Sequence, residues 1–151
     1  MIITVDQDLF KNESAAYFHC ANCYCKMKAG IAAGISEHYP EAVQADLNTI
    51  PGDRSKLGKF TSAVGSNGKV IYNLYGQFYY GTGTRKINYE AFYSGLKLLH
   101  DDLTIKKINT VAIPYKIGCN LAGGNWKIVY AMLEDVWELS PIQLTICRKI
   151  D

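Results

Sequence analysis

An excess of one charge is missing from this sequence. Its 16 Lys and Arg stand against 14 Asp and Glu, scattered among one another, for a formal net charge of +2. No basic stripe is present to hold a nucleic-acid backbone, so nucleic acid is not an expected partner. Long apolar runs are also absent. None approaches the roughly 20 residues that span a bilayer, and the first residues carry neither the basic region nor the apolar core of a signal peptide. The expectations are no membrane partner and a cytoplasmic location. Repeats, linkers and low-complexity segments are missing too, which leaves one domain over residues 1–151. With 48% hydrophobic and 20% charged residues, that domain has enough apolar material for a packed core.

Five cysteines are present, three of them in a C-x2-C-x-C cluster, Cys20, Cys23 and Cys25, beside His19. A structural zinc site calls for a second ligand pair at a defined distance, whereas Cys119 and Cys147 stand alone. Reduced thiols are expected, with no metal and no cofactor. Cys147 reads as a small core residue of a strand.

The periodicities alternate between strand and helix. "MIITV" and "AAYFHCA" read as strands, and "AGIAAGISEHYP" as a helix that Pro40 stops. "KFTSAV" and "KVIYNLYGQFYY" flank Asn67-Gly68, a hairpin signal. A helix capped by Asn88 follows, running to about Leu103 with Phe92, Leu96 and Leu99 on its apolar face. "NTVAIP" is a buried strand, Trp126 to Trp137 a second amphipathic helix capped by Asn125, and "IQLTIC" a last strand. The pattern predicts an α/β domain with a central mixed sheet.

Two loops join a strand to a helix N-terminus, where free N–H groups and the helix dipole favour anions. One is "CANCYCKMKAG" and the other "GCNLAGGNW". The second holds Gly118, Gly123 and Gly124 with almost no charge, where one turn residue would make the connection. Either the glycines let a phosphate approach the backbone or they only make tight turns. A two-loop clamp suits the diphosphate of a nucleotide.

These stretches together resemble the macro domain, a family that binds ADP-ribose and related nucleotides. "DQDLF" looks like the family's "GDLF" element, with Gln7 in place of the glycine. "HCANCYCKMKAGIA" is similar to the catalytic loop of the terminal ADP-ribose glycohydrolase branch, and "IPYKIGCNLAGGNW" to a loop around the diphosphate and distal ribose. "NLYGQFYYGTGTRKINYEAF" is similar to a stretch of small bacterial and phage members.

The resemblance implies a three-layer α/β/α sandwich. It also implies a ligand, ADP-ribose or a derivative, and a monomer. By position the ligand-binding residues are Asp8 on adenine, Leu9, Ala21, Asn22, Lys28, Ala29, Gly30, Ile31, Gln77, Ile117, Gly118, Cys119, Asn120, Leu121, Ala122 and Gly123. Asn22, His19 and Asn125 are the catalytic candidates: Asn22 to position water, the other two from their places beside the loops.

Several positions depart from the family. Lys28 and Asn120 stand where glycine is usual, and Lys28 either pairs with the diphosphate or is solvated. The lysine nucleophile and aspartate of the glycohydrolase branch fall at Gln77 and Ala122, which can do neither job. Asn125 replaces an aspartate: it cannot exchange a proton, yet it caps a helix equally well. His19 is a general base or a packed core residue. Tyr75, Phe78, Tyr79 and Tyr80 either stack on the ligand or pack, and Arg85 either reaches a phosphate or is an exposed loop residue.

Two functions follow. One is hydrolysis of ADP-ribose 1″-phosphate or of a mono-ADP-ribosyl bond, relying on orientation and backbone donors. The alternative is a non-catalytic reader or sponge of ADP-ribose or another NAD-derived nucleotide, including one used in phage counter-defence.

Overall fold

The computed structural model describes residues 1–81 and 83–150, so Thr82 in the "GTGTRK" loop and the terminal Asp151 lie outside the described residues. Six strands form one sheet: β1 (Ile2–Asp6), β2 (Ala16–Asn22), β3 (Phe60–Val64), β4 (Val70–Gln77), β5 (Thr110–Pro114) and β6 (Gln143–Arg148). Their order is β1-β6-β5-β2-β4-β3. Only β3 runs antiparallel, joined to β4 by the predicted hairpin, in which Gly68 takes the turn at φ +85°. Every other neighbouring pair is parallel, so each connection must cross a face of the sheet, and the helices do so on both sides.

Four helices cover the sheet: α1 (Gly30–His38), α2 (Pro40–Leu47), α3 (Tyr89–Ile105) and α4 (Trp126–Trp137). Period-2 alternation in β2 divides the core between the faces. Ala16 and Phe18 point to α3 and α4, into a cluster with Phe92, Leu96, Leu99, Leu103, Val129, Leu133 and Trp137. Tyr17 points the other way, to Ile35 of α1 and Ala42 of α2. The result is the expected three-layer sandwich with a mixed sheet. The helix bounds agree with the periodicity except at α2. Pro40 does stop α1, but it is also the first residue of a second helix, a position where its missing N–H costs nothing.

One feature of the sheet opens a site. β2 and β5 pair only through Ala16–Val111 and Tyr17–Ala112, after which the two strands separate. Their carboxyl ends therefore flank a gap in the middle of the sheet, the place where open α/β sheets take ligands.

Candidate functional site

The gap is the floor of a cleft of about 440 Å³, within the usual range of small-molecule sites. Cys20, Asn22 and Gln77 form the floor, Lys26 and Lys28 to Ala32 one wall, and Pro114 to Ala122 without Cys119 the other, with Tyr80 and Gly81 at the rim. Among the described residues three lysines, Lys26, Lys28 and Lys116, line it, and no carboxylate does. The first wall includes the start of α1, where Ala29 supplies no side-chain cap and Gly30, Ile31 and Ala32 face the cleft. First-turn N–H groups without a cap are donors for an anion.

Hydrogen bonds of Asn22 shape the lysine-bearing loop. Its Oδ1 accepts from the Tyr24 N–H at 2.9 Å and the Lys26 N–H at 3.3 Å, while its Nδ2 donates to the Lys26 carbonyl at 2.8 Å. A register shift between Ala21 and Asn22 sets Asn22 beside Gln77 on β4. Asn22 thus lines the cleft as expected, but its side chain organises the wall instead of being free to hold water. Asn22→Ala should lower stability by about 1–3 kcal/mol, since buried backbone groups lose their partner, and urea denaturation measures this.

The glycines of the second loop have an unexpected partner. A Cβ at Gly118 would fall 2.6 Å from Ile87 Cδ1, one at Gly124 2.6 Å from the Gly118 carbonyl oxygen, and one at Gly123 3.2 Å from the Arg85 Cα. What approaches these backbones is the protein itself: the loop folds on its own turn and on the segment 84–87. That segment is held by the Lys86 and Ile87 N–H groups, which both donate to the Ala122 carbonyl. Gly30 serves the clamp differently. A Cβ there would sit 3.1 Å from Leu121 Cδ1, so the two walls meet at this point.

Eleven of the predicted residues come together around the cleft: Asn22, Lys28, Ala29, Gly30, Ile31, Gln77, Ile117, Gly118, Asn120, Leu121 and Ala122. Ala21, Cys119 and Gly123 lie beside lining residues without lining the cleft themselves. Asp8 and Leu9 are not among the lining residues: Leu9 opens a short 3-10 helix (Leu9–Lys11) that packs on β5, and Asp8 caps it. The Asp8 carboxylate accepts from the Phe10 N–H at 3.0 Å and sits 3.7 Å from Lys149 Nζ.

Two catalytic candidates do not line the cleft. His19 is fully buried on the opposite face of β2 from Cys20, its Nε2 2.7 Å from Asn73 Oδ1. Asn73 spends its Nδ2 on Ala42 and Thr61, so the His19 Nε2 carries the proton. Asn125 lies outside the cleft and caps α4, accepting from the Lys127 N–H at 2.9 Å. Its backbone N–H donates to the Tyr89 hydroxyl at 2.9 Å, which ties the start of α4 to the start of α3. Arg85 is likewise committed elsewhere, donating to the Ile87 carbonyl at 3.3 Å and lying over the Tyr89 ring.

Burial sets the pH behaviour of His19. Desolvation pulls its pKa from 6.5 down to about 4, against the smaller opposing effect of Asn73. The folded state therefore keeps it neutral where the unfolded chain takes up a proton. Its contribution is intact above the unfolded pKa and is lost as pH falls from about 6.5 toward 4. Between pH 7 and pH 5 this removes about 2 kcal/mol. Asp46, whose carboxyl burial pushes up, acts in the opposite direction. The check is to compare urea midpoints at both pH values in the native protein and in His19→Asn: the variant should lose less stability on acidification, since Asp46 is common to both.

The sequence reading missed Cys20, Lys26, Ala32, Gly81, Pro114, Tyr115 and Lys116 of the lining. Each adjoins a motif residue, and only the separation of β2 from β5 brings them to one space. Of the weighed aromatics, Tyr80 alone reaches the cleft; Tyr75 is buried and bonds Asp46 Oδ1 at 2.7 Å, and Phe78 lies under Arg54. Chemically the site is rich in donors and poor in proton acceptors. Burial pushes the Cys20 thiol up to about 12, and among the lining residues there is neither a carboxylate nor a histidine.

Comparisons with known proteins agree with this architecture. The chain is 28% identical over 120 residues to an uncharacterized 17.5 kDa protein of Enterobacteria phage T4, covering 77% of this chain and 76% of that one. It is 30% identical over 148 residues to the ADP-ribose glycohydrolase OARD1 of Homo sapiens, covering 96% and 90%. Among solved structures, Thermosipho africanus DarTG in complex with ADP-ribose superposes at a TM-score of 0.82 with 16% identity, covering 99% of this chain and 42% of that one. The family model of the macro domain matches residues 18–133, from the core of β2 through both cleft walls into α4. With that match spanning the sheet centre, the clamp and three of the four helices, the chain belongs to the macro domain family.

Proposed function

We propose that the cleft binds ADP-ribose or a close derivative and turns it over slowly or not at all. The observation that carries this is the lining itself: three lysines, an uncapped helix start and no carboxylate, around a volume that fits a dinucleotide-sized anion. The diphosphate lies between the α1 N-terminus and the loop 117–122, the distal ribose over Asn22 and Gln77, and the adenine toward Pro114 and Tyr115, with Asp8 beyond. Support for the ligand comes from the family and from the ADP-ribose bound in the Thermosipho africanus DarTG structure.

The binding reading is favoured over rapid hydrolysis by the missing proton acceptor. Gln77 donates through Nε2 to the Tyr79 carbonyl at 2.9 Å and cannot act as a nucleophile. Ala122 offers no side-chain oxygen. What hydrolysis remains would rest on orientation and N–H donors alone. With saturating ADP-ribose 1″-phosphate, phosphate release should stay below about one turnover per second, the low end of ordinary enzymes. Release at or above that rate would refute the binding reading and return the chain to the phosphatases.

A further inference from the structure

Helix α4 has two apolar sides, and only one of them enters the core. Val129, Leu133 and Trp137 are buried against the sheet and α3. On the opposite side Ile128 is 41% exposed, Ala131 is exposed and Met132 is half-buried, and Leu139, just past the helix end, continues the line at 98% exposure. Single exposed apolar residues are ordinary, whereas a line of them along one helix face marks a surface that another surface covers. With Tyr93 of α3, the residues Ile128, Ala131 and Met132 line a surface groove of about 530 Å³.

The groove carries opposite charges at its two ends, Lys127 toward the start of α4 and Asp135 toward its end. Both are exposed, and neither belongs to a salt bridge among the described residues. Asp135 Oδ2 accepts from the Tyr93 hydroxyl, a contact from α3 that fixes the carboxylate at the groove edge. Lys127, Ala131 and Asp135 follow one another at i, i+4 and i+8, a line about 12 Å long with the smallest side chain midway. Such a line is complementary to its own reverse. Two α4 helices packed antiparallel about a two-fold axis at Ala131 set each Lys127 against the partner's Asp135, and the alanines let the backbones approach. A parallel pairing would oppose like charges at both ends, so the charges also select the direction.

We infer that this face of α4 is a docking surface for a second copy of the chain, which forms a two-fold dimer through antiparallel α4 helices and reciprocal Lys127–Asp135 pairs. Ile128 and Met132 flank the axis and are covered in both copies. One helix pair buries less than the roughly 1,200 Å² of a standard interface, so the dimer is reversible, with a Kd of about 1–100 µM. The monomer that the family resemblance implies is then the form at low concentration. None of these residues lines the cleft, so the inference stands independently of which ligand the cleft takes.

The test is sedimentation equilibrium of the native protein from about 1 µM to about 500 µM, a range that brackets that Kd. The average mass should rise from the 16.8 kDa of one chain toward twice that value. Ala131→Arg should keep the chain monomeric throughout. Lys127→Asp and Asp135→Lys should each weaken self-association at least about tenfold, because like charges then face one another at both ends. An equimolar mixture of these two variants should recover the dimer, since each copy then meets a partner of opposite charge. A native chain that stays at the monomer mass, a dimer that survives Ala131→Arg, or a mixture no more associated than its components would each overturn the inference. The result for the native chain decides the matter even if a variant fails to fold, because it needs no substitution to contradict the proposal.

Discussion

Gly124→Ala is expected to reduce ADP-ribose affinity at least about tenfold, equivalent to about 1.4 kcal/mol, and to lower stability by about 1–3 kcal/mol. The new Cβ would stand 2.6 Å from the Gly118 carbonyl oxygen and 3.1 Å from Ile87 Cγ2. A flexible side chain could rotate away from such a contact, but a backbone carbonyl cannot. That carbonyl also accepts the Gly124 N–H at 2.9 Å, so the turn must open to relieve the clash. Opening it moves residues 117–122, the wall opposite the α1 N-terminus, and separates the two sets of donors that an anion would bridge. Gly68→Ala is the matching control: its Cβ meets nothing within 4 Å, although its φ of +85° adds backbone strain, and it lies in the hairpin far from the cleft. Titration calorimetry of both variants separates a local effect on the clamp from general loosening.

Trp137→Ala should produce the largest loss of stability, about 3–5 kcal/mol. Trp137 is fully buried at the end of α4, stacked on Phe18 with ring centroids 5.7 Å apart and met edge-on by His100 at 5.4 Å. It joins α3 and α4 to the centre of β2. Its indole N–H has no partner among the described residues, so removing the ring leaves no new unsatisfied group there and the cost is cavity and lost packing. Urea unfolding measures the loss. A drop under about 1 kcal/mol would mean that this layer is held elsewhere.

The elements were legible in the sequence where one face is apolar. Phe92, Leu96 and Leu99 marked α3, Val129 and Leu133 marked α4, and Asn67-Gly68 marked the hairpin, because burial on one side imposes a period. α2 was not legible for the same reason: only Ala42 and Asp46 of "PEAVQADL" are buried, so no apolar stripe runs along it. Pro40 then signalled an end without signalling the start it also provides.

The candidate site was legible as two loops and less so as a space. The residues on either side of the strand gap could be named from the motifs, but their burial and partners depend on contacts distant in sequence. Asn22 and Asn125 illustrate the limit. Asn22 read as a polar group near a ligand, whereas it ties down a loop; Asn125 read both as a group near the ligand and as a helix cap, and its side chain caps α4. For the three glycines the sequence left open room for a phosphate or tight turns alone. Their close neighbours proved to be the loop's own Gly118 carbonyl together with Ile87 and the Arg85 backbone, which lie outside the loop sequence.

The central claim is that this cleft holds ADP-ribose, and isothermal titration calorimetry of the native protein with ADP-ribose tests it most directly. The account predicts one site per chain with micromolar affinity, weakening with added salt because Lys26, Lys28 and Lys116 are exposed cations. No heat and no saturation at millimolar ADP-ribose would contradict it, and would mean that Lys28 and Asn120 close the cleft to this ligand.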